Sequence, residues 1–128
     1  MAHRKRRRPT PAELDILRVL WHRGPSTVRQ VLEVLHRQRP TGYTTVLKLL
    51  QIMTEKGLVA RDESLRSHVY RARLSEEQTQ RQLVGDLLDR AFGGSAQKLV
   101  MQALAVTRAS AEELADIRRL LDEFEMGE

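Results

Sequence analysis

A short run in the middle of the chain, GYTTVLK, carries side chains of the types that contact DNA. A threonine hydroxyl hydrogen-bonds to a phosphate or a base, its methyl group packs against thymine, and a lysine reaches guanine acceptors or a phosphate. In a helix, Thr44, Thr45 and Lys48 would lie opposite an apolar stripe that begins at Val46. We therefore predict DNA contacts from Tyr43, Thr44, Thr45 and Lys48.

Arginines are concentrated in the segment that follows this run, LVARDESLRSHVYRARL. Guanidinium groups bind phosphates or enter the minor groove, so Arg61, Arg66 and Arg71 are predicted as further DNA contacts. A second basic cluster, Arg4–Arg8, stands near the start of the chain. It either adds phosphate contacts or is a solvated tail.

Charge is divided unevenly along the 128 residues. Residues 1–73 contain sixteen Lys and Arg against six Asp and Glu, whereas residues 74–128 contain six against eleven. The first part is strongly basic and the second acidic, although the whole chain carries only +5. This division favours a polyanionic partner for the first part and a different role for the second, with solvated surface as the alternative.

The sequence contains no pattern typical of a catalytic or metal-binding site. Its histidines, His3, His22, His36 and His68, have neither the short helical spacing of a zinc site nor a carboxylate in a recognisable motif. The absence of cysteine excludes disulfides and cysteine-zinc sites. We therefore expect neither an enzyme nor a bound metal or cofactor.

Composition indicates a folded globular protein, with 41% hydrophobic and 30% charged residues. No apolar run approaches the ~20 residues that span a bilayer. The basic start, MAHRKRRRPT, lacks the apolar segment of a signal peptide, so a cytoplasmic location is expected.

Two amphipathic helices are predicted before the polar run. The first extends from the capping box TPAE at residues 10–13 to about His22, and the second from the box TVRQ at residues 27–30 to about Gln38. Because only a few residues separate them from each other and from the polar run, three helices should follow one another through short turns.

The third helix contains the polar run. Thr41 is expected to cap its start, and Gly57 to end it in the left-handed conformation. Alternating apolar and polar residues then predict a hairpin of strands over residues 58–63 and 67–74. The predicted buried stripe of the helix is Val46, Leu49, Leu50 and Met53.

Three more helices are predicted in the acidic part: from the box SEEQ at residues 75–78 to about residue 92, over residues 96–106, and from the box SAEE at residues 110–113 onwards. Their apolar stripes are larger than a short appendage can bury alone, so we expect a second copy to cover them. The alternative is that they fold back on the first part. The predicted dimer contacts are Leu83, Leu87, Leu88, Phe92, Leu99, Leu104, Leu114, Ile117, Leu121 and Phe124.

Three helices followed by a hairpin are the order of a winged helix-turn-helix domain, whose third helix reads the major groove. The predicted fold class is therefore mainly α with a small β-hairpin. A basic flexible tail spans residues 1–9, the winged-helix domain 10–74 and a three-helix dimerisation region 75–128. A protein-interaction adapter of the same shape is an alternative function, and RNA binding is disfavoured because few aromatic residues are present.

Four segments together resemble the penicillinase-repressor family, the β-lactamase and methicillin-resistance repressors. They are PAELDILRVLW, GPSTVRQVLEVL, GYTTVLKLLQIMTEKGLV and RSHVYRARLSEEQ, and the resemblance covers about residues 11–124. It implies a dimeric winged-helix repressor that binds dyad operators in promoters and dimerises through its three C-terminal helices. It places Thr44, Thr45 and Lys48 at operator-contacting positions.

The sequence departs from the family pattern at several positions. Many relatives carry Thr where Lys48 stands and Arg where Ile52 stands, and the usual Gly-Arg of the wing is Leu65-Arg66 here. We therefore expect a different operator sequence and a reshaped wing tip. Some members have a membrane sensor protease as a partner, which cuts an Asn-Phe bond in the fifth helix; the matching position here reads Gln102-Ala103.

Overall fold

The computed structural model describes residues 8–127 and divides between Leu83 and Val84 into two compact units. Within the described residues it consists of six helices and one antiparallel hairpin, which confirms the predicted fold class. No helix of this part of the chain is long and apolar enough to cross a membrane. The elements are α1 (Pro11–Arg23), α2 (Val28–Gln38), α3 (Tyr43–Lys56), β1 (Val59–Asp62), β2 (Val69–Ala72), α4 (Glu76–Ala91), α5 (Ala96–Val106) and α6 (Ala111–Met126).

Reciprocal side-chain caps determine where several helices begin. At α1, the Glu13 N–H donates to the Thr10 hydroxyl at 3.2 Å, and the Thr10 N–H donates to the Glu13 carboxylate at 2.9 Å. Such caps satisfy amide groups that have no partner inside the helix. The other predicted boxes, all confirmed, pair Thr27 with Gln30, Ser75 with Gln78 and Ser110 with Glu113.

The start of α3 differs from the prediction, because its cap residue is Gly42 and not Thr41. The Thr41 hydroxyl donates to the Arg39 carbonyl oxygen at 2.9 Å, and the Thr41 N–H donates to His36 Nδ1 at 3.2 Å. Both bonds tie Thr41 into the turn after α2, which takes its hydroxyl away from the α3 amides. Gly57 ends the helix in the left-handed conformation, with φ +81°, as predicted.

The core of the first unit lies between α1, α2, α3 and the hairpin. Leu49 is only partly buried, so the predicted stripe of α3 is confirmed at its other three positions. Tyr70 of β2, at 1% exposure, is the aromatic member of this core. The side chains with no exposed surface include Ile16, Val31, Val46, Leu50 and Met53.

The hairpin is attached to the helices by backbone pairing. Ser26 pairs with Tyr70, each N–H donating to the other carbonyl at 2.9 and 2.8 Å, which adds a third extended segment beside β2. The Trp21 indole Nε1 donates to the Leu74 carbonyl at 2.9 Å, just before α4. The two regular strands are shorter than predicted, because residues 63–68 form the wing loop.

The second unit has a different burial pattern. Neither α5 nor α6 contains a buried side chain, although both carry apolar residues at helical spacing. Gly93 and Gly94, which both have positive φ, separate α4 from α5. Gln102 and Ala103 lie in α5 with their side chains exposed.

Candidate nucleic-acid interface

Helix α3 has one buried face and one exposed face. Its inner stripe packs against α1 and α2, as described above. On the outer face, Thr44, Thr45 and Lys48 are exposed, and Tyr43 is exposed at the start of the helix. All four α3 residues that are predicted to contact DNA therefore lie on the surface of one helix.

The first turn of α3 is open to an external acceptor. Gly42 has no side-chain acceptor, and among residues 8–127 no side chain caps the amide groups of this turn. Unpaired amides at a helix N-terminus attract anions such as phosphate. The Arg29 guanidinium lies over the Tyr43 ring, 5.7 Å from its centroid, and adds a positive charge beside this turn.

Arg29 was not predicted as part of the interface. In the sequence it is only the second residue of α2, fourteen positions before Tyr43. The turn between α2 and α3 brings the two side chains together, and no local pattern in the sequence indicates that contact. Gln51 was also missed: it is exposed and stands one helical turn after Lys48.

A buried ion pair joins the end of α3 to the start of α1. Lys56 Nζ donates to Glu13 Oε1 at 2.7 Å, with the Glu13 side chain 3% exposed and that of Lys56 25% exposed. The same ammonium group donates to the Arg8 carbonyl oxygen at 3.2 Å. Because both ends of this contact lie on helices of the core, the pair fixes the C-terminal end of α3 against α1.

The three predicted wing arginines do not share one surface. In the hairpin register Arg61 faces Tyr70, and Arg71 faces Ala60, so Arg61 and Arg71 project from opposite faces. Arg61 is also paired with Glu63, at 2.5 Å, and side-chain hydrogen bonds to Tyr70 and Glu63 raise the pKa of Arg61. Arg66 lies exposed in the wing loop.

The wing loop is ordered by its first residues. The Asp62 carboxylate accepts from the Ser64 N–H at 2.9 Å and from the Ser64 hydroxyl at 2.7 Å. These bonds, with a smaller effect from the charge of Arg71, lower the pKa of Asp62. Leu65 follows with an exposed side chain, which gives the tip an apolar group.

Two further predictions concern the basic cluster near the start of the chain and metal binding. Of the basic cluster Arg4–Arg8, only Arg8 lies among the described residues. Within residues 8–127, no group of three or more His, Cys, Asp or Glu side chains is placed to hold a metal ion.

Three packed helices, a hairpin extended by Ser26, and a third helix with an exposed polar face define a winged-helix protein. The penicillinase repressor family model matches residues 9–123, so the chain belongs to that family. Its members are transcriptional regulators and not enzymes, which confirms both the resemblance and the expectation that this protein is no enzyme.

Relatives match almost the full length of the chain. It is 34% identical over 116 residues to the transcriptional regulator BlaI of Mycobacterium tuberculosis H37Rv, covering 90% of this chain and 83% of that protein. It is 22% identical to the penicillinase repressor of Bacillus licheniformis, with 88% of each chain covered. It is 17% identical to the penicillinase repressor of Staphylococcus aureus, with 88% and 90% covered.

Proposed function

We propose that this protein is a homodimeric, sequence-specific repressor that binds palindromic operator DNA in promoters, in the cytoplasm. The observation that carries the proposal is the two-sided α3, with Val46, Leu50 and Met53 at 0% exposure on its inner face and polar side chains exposed on its N-terminal half. A recognition helix needs this arrangement, because the core must hold it rigidly while its outer side chains reach base edges. The names of the relatives support the role of repressor.

The α3 residues are proposed to read bases, and the surrounding arginines to bind phosphates. Tyr43, Thr44, Thr45 and Lys48 lie on or beside the outer face, and Arg29 adds charge where α3 begins. In the wing, Arg61, Arg66 and Arg71 remain proposed DNA contacts. Arg66, exposed in the wing loop, and Arg71, exposed on the hairpin face opposite Tyr70, are better placed than Arg61, which is held by Glu63.

We further propose that residues 75–128 form the dimer and residues 10–74 the DNA-binding domain. Contiguous exposed apolar surface marks a protein interface, and Phe124 of α6 is 67% exposed. Of the predicted dimer contacts, Leu87, Leu104, Leu121 and Phe124 are exposed. Those that are half-buried within one chain are Leu83, Leu88, Phe92, Leu99, Leu114 and Ile117.

Fluorescence anisotropy with overlapping duplexes from the region upstream of the protein's own gene tests the proposal. We expect one duplex to bind far more tightly than its scrambled counterpart, with a palindromic footprint of two half-sites about one helical turn, or a multiple of it, apart. Affinity should fall steeply as salt rises, because bound phosphates release counterions. Equal binding to every duplex, or none, would refute sequence-specific repression.

Lys48→Ala separates base reading from phosphate binding. If Lys48 contacts a base, its loss should cost ~1–3 kcal/mol on the operator and much less on scrambled DNA. Equal weakening on both would assign Lys48 to a phosphate. An adapter that reads no DNA would instead be a monomer or heteromer in light scattering and would bind no duplex specifically.

A further inference from the structure

Ile52 is an apolar residue on the otherwise polar outer face of α3. Among the described residues of the first unit, the large hydrophobic side chains that are exposed are Tyr43, Ile52 and Leu65. All three lie on α3 or in the wing loop, the two elements that form the proposed DNA-binding surface. The other large hydrophobic side chains described in this unit are buried or half-buried.

The position of Ile52 along α3 places it in line with the proposed base-reading residues. Thr45, Lys48 and Ile52 are spaced i, i+3 and i+7, so their side chains form one stripe. This stripe rises roughly 10 Å along the helix, about three base-pair steps of DNA. Base-reading residues on the recognition helix of a homeodomain have the same i, i+3, i+7 spacing.

The chemistry of isoleucine restricts what it can read. Its side chain has no hydrogen-bonding atom, and in the major groove the C5 methyl of thymine is the apolar group that a base pair presents. Packed against the polar edge of another base, Ile52 would leave donors or acceptors without partners. Its branched β-carbon also restricts χ1, so a helix presents the side chain in nearly one orientation.

We propose that Ile52 is a specificity-determining residue that packs against the C5 methyl of one thymine in each operator half-site. This inference rests on the proposed function, because it requires α3 to lie in the major groove. To that function it adds the base that Ile52 recognises, a thymine, and the group on that base that Ile52 contacts, the C5 methyl.

Replacing thymine by deoxyuridine tests the contact, because it removes the methyl group and leaves the base pair intact. The probe is the upstream duplex that the wild-type protein binds most tightly, with each thymine of one half-site replaced in turn. At one position the wild-type affinity should fall roughly 4-fold, the equivalent of the ~0.8 kcal/mol for one methyl-sized group. Ile52→Ala should bind the unmodified duplex more weakly and be insensitive to deoxyuridine at that position.

Leu65→Ala is the matched control, because it also shortens an exposed aliphatic side chain in the same unit. This variant should keep the full sensitivity to deoxyuridine. Unchanged urea unfolding of Ile52→Ala, followed by the fluorescence of Trp21, checks that the domain remains folded. If Ile52→Ala is as sensitive as the wild type, or if no single substitution weakens the wild type, the inference is overturned while operator binding stands. If the wild type binds no duplex specifically, the proposed function fails as well.

Discussion

Removing the ammonium group of Lys56 would isolate a buried carboxylate. Lys56→Met keeps most of the apolar stem but takes away the donor that lies 2.7 Å from Glu13 Oε1. The Glu13 side chain is 3% exposed, so water cannot replace that donor freely. Within the described part of the chain the remaining partner is the Thr10 N–H, which donates to the same oxygen at 2.9 Å.

The expected cost follows from this geometry. Breaking a buried ion pair by removing one partner costs about 3–5 kcal/mol. The Lys56 side chain is 25% exposed and the Thr10 bond remains, so the cost should lie at or below the low end of this range. We therefore expect Lys56→Met to lower the free energy of unfolding by ~2–3 kcal/mol. Glu13→Gln keeps a carbonyl that accepts from Thr10 and removes the charge, so it should cost about 1 kcal/mol. The double variant should therefore be more stable than Lys56→Met alone.

Urea unfolding followed by tryptophan fluorescence measures these differences. Trp21 is the only tryptophan of the chain and lies in α1, so its signal reports on the first unit. Arg39→Met is the matched control, because Arg39 and Asp15 form a pair whose side chains are 71% and 37% exposed. Its effect should stay below about 1 kcal/mol.

Two results would contradict this reasoning. If Lys56→Met and Arg39→Met unfold at the same urea concentration, the Glu13 carboxylate is not a buried charge that depends on Lys56. If adding Glu13→Gln to Lys56→Met restores no stability, the loss comes from packing of the lysine stem and not from the isolated charge.

Further predictions concern DNA contact, the wing loop and assembly. Arg29→Ala should weaken binding equally on operator and scrambled duplexes and reduce the salt slope by about one, as expected for a phosphate contact; selective loss on the operator would refute this role. Because the pKa of Asp62 is lowered, its stabilisation of the wing loop is present above its ordinary value of 3.8 and lost as pH falls through the lowered pKa. In an NMR titration, Ser64→Ala should raise the Asp62 pKa toward 3.8, and an unchanged pKa would exclude the bond from the Ser64 hydroxyl as a cause. Leu121→Glu should give monomers in sedimentation velocity, because it places a charge on the proposed apolar interface. Gln97→Glu, the same charge change at an exposed polar position, should keep the dimer. If both variants sediment alike, α6 is not part of the interface.

Local sequence signals predicted most helix boundaries correctly. A capping box involves two residues three positions apart, so Ser110 and Glu113 reveal the start of α6 without knowledge of the rest of the fold. The same local reasoning was wrong at Thr41, whose hydroxyl can either accept from the α3 amides or turn toward another group. In the structure it donates to the Arg39 carbonyl, and a sequence pattern does not reveal which orientation the side chain takes.

Contacts between distant residues could not be predicted from the pattern. Glu13 was identified only as a capping residue, and its partner Lys56 stands 43 positions later. Helix α1 shows the same limit, because Ile16 and Val19 are buried in addition to Leu17 and Leu20. A helix covered by α2, α3 and the hairpin buries a wider arc than a one-sided amphipathic pattern indicates.

The two units differ in how their apolar surface is covered. This difference bears on the proposed division of roles, with DNA binding in the first unit and dimerisation in the second. In the first unit α3 packs on a complete core, so its outer face is presented by a single chain. In the second unit α5 and α6 bury no side chain, and the proposed dimer would cover their exposed apolar residues. The stability of the second unit should therefore depend on protein concentration, and that of the first should not. Because the proposed palindromic operator needs two copies of α3, we expect dilution to lower operator affinity through loss of the proposed dimer while each α3 stays folded.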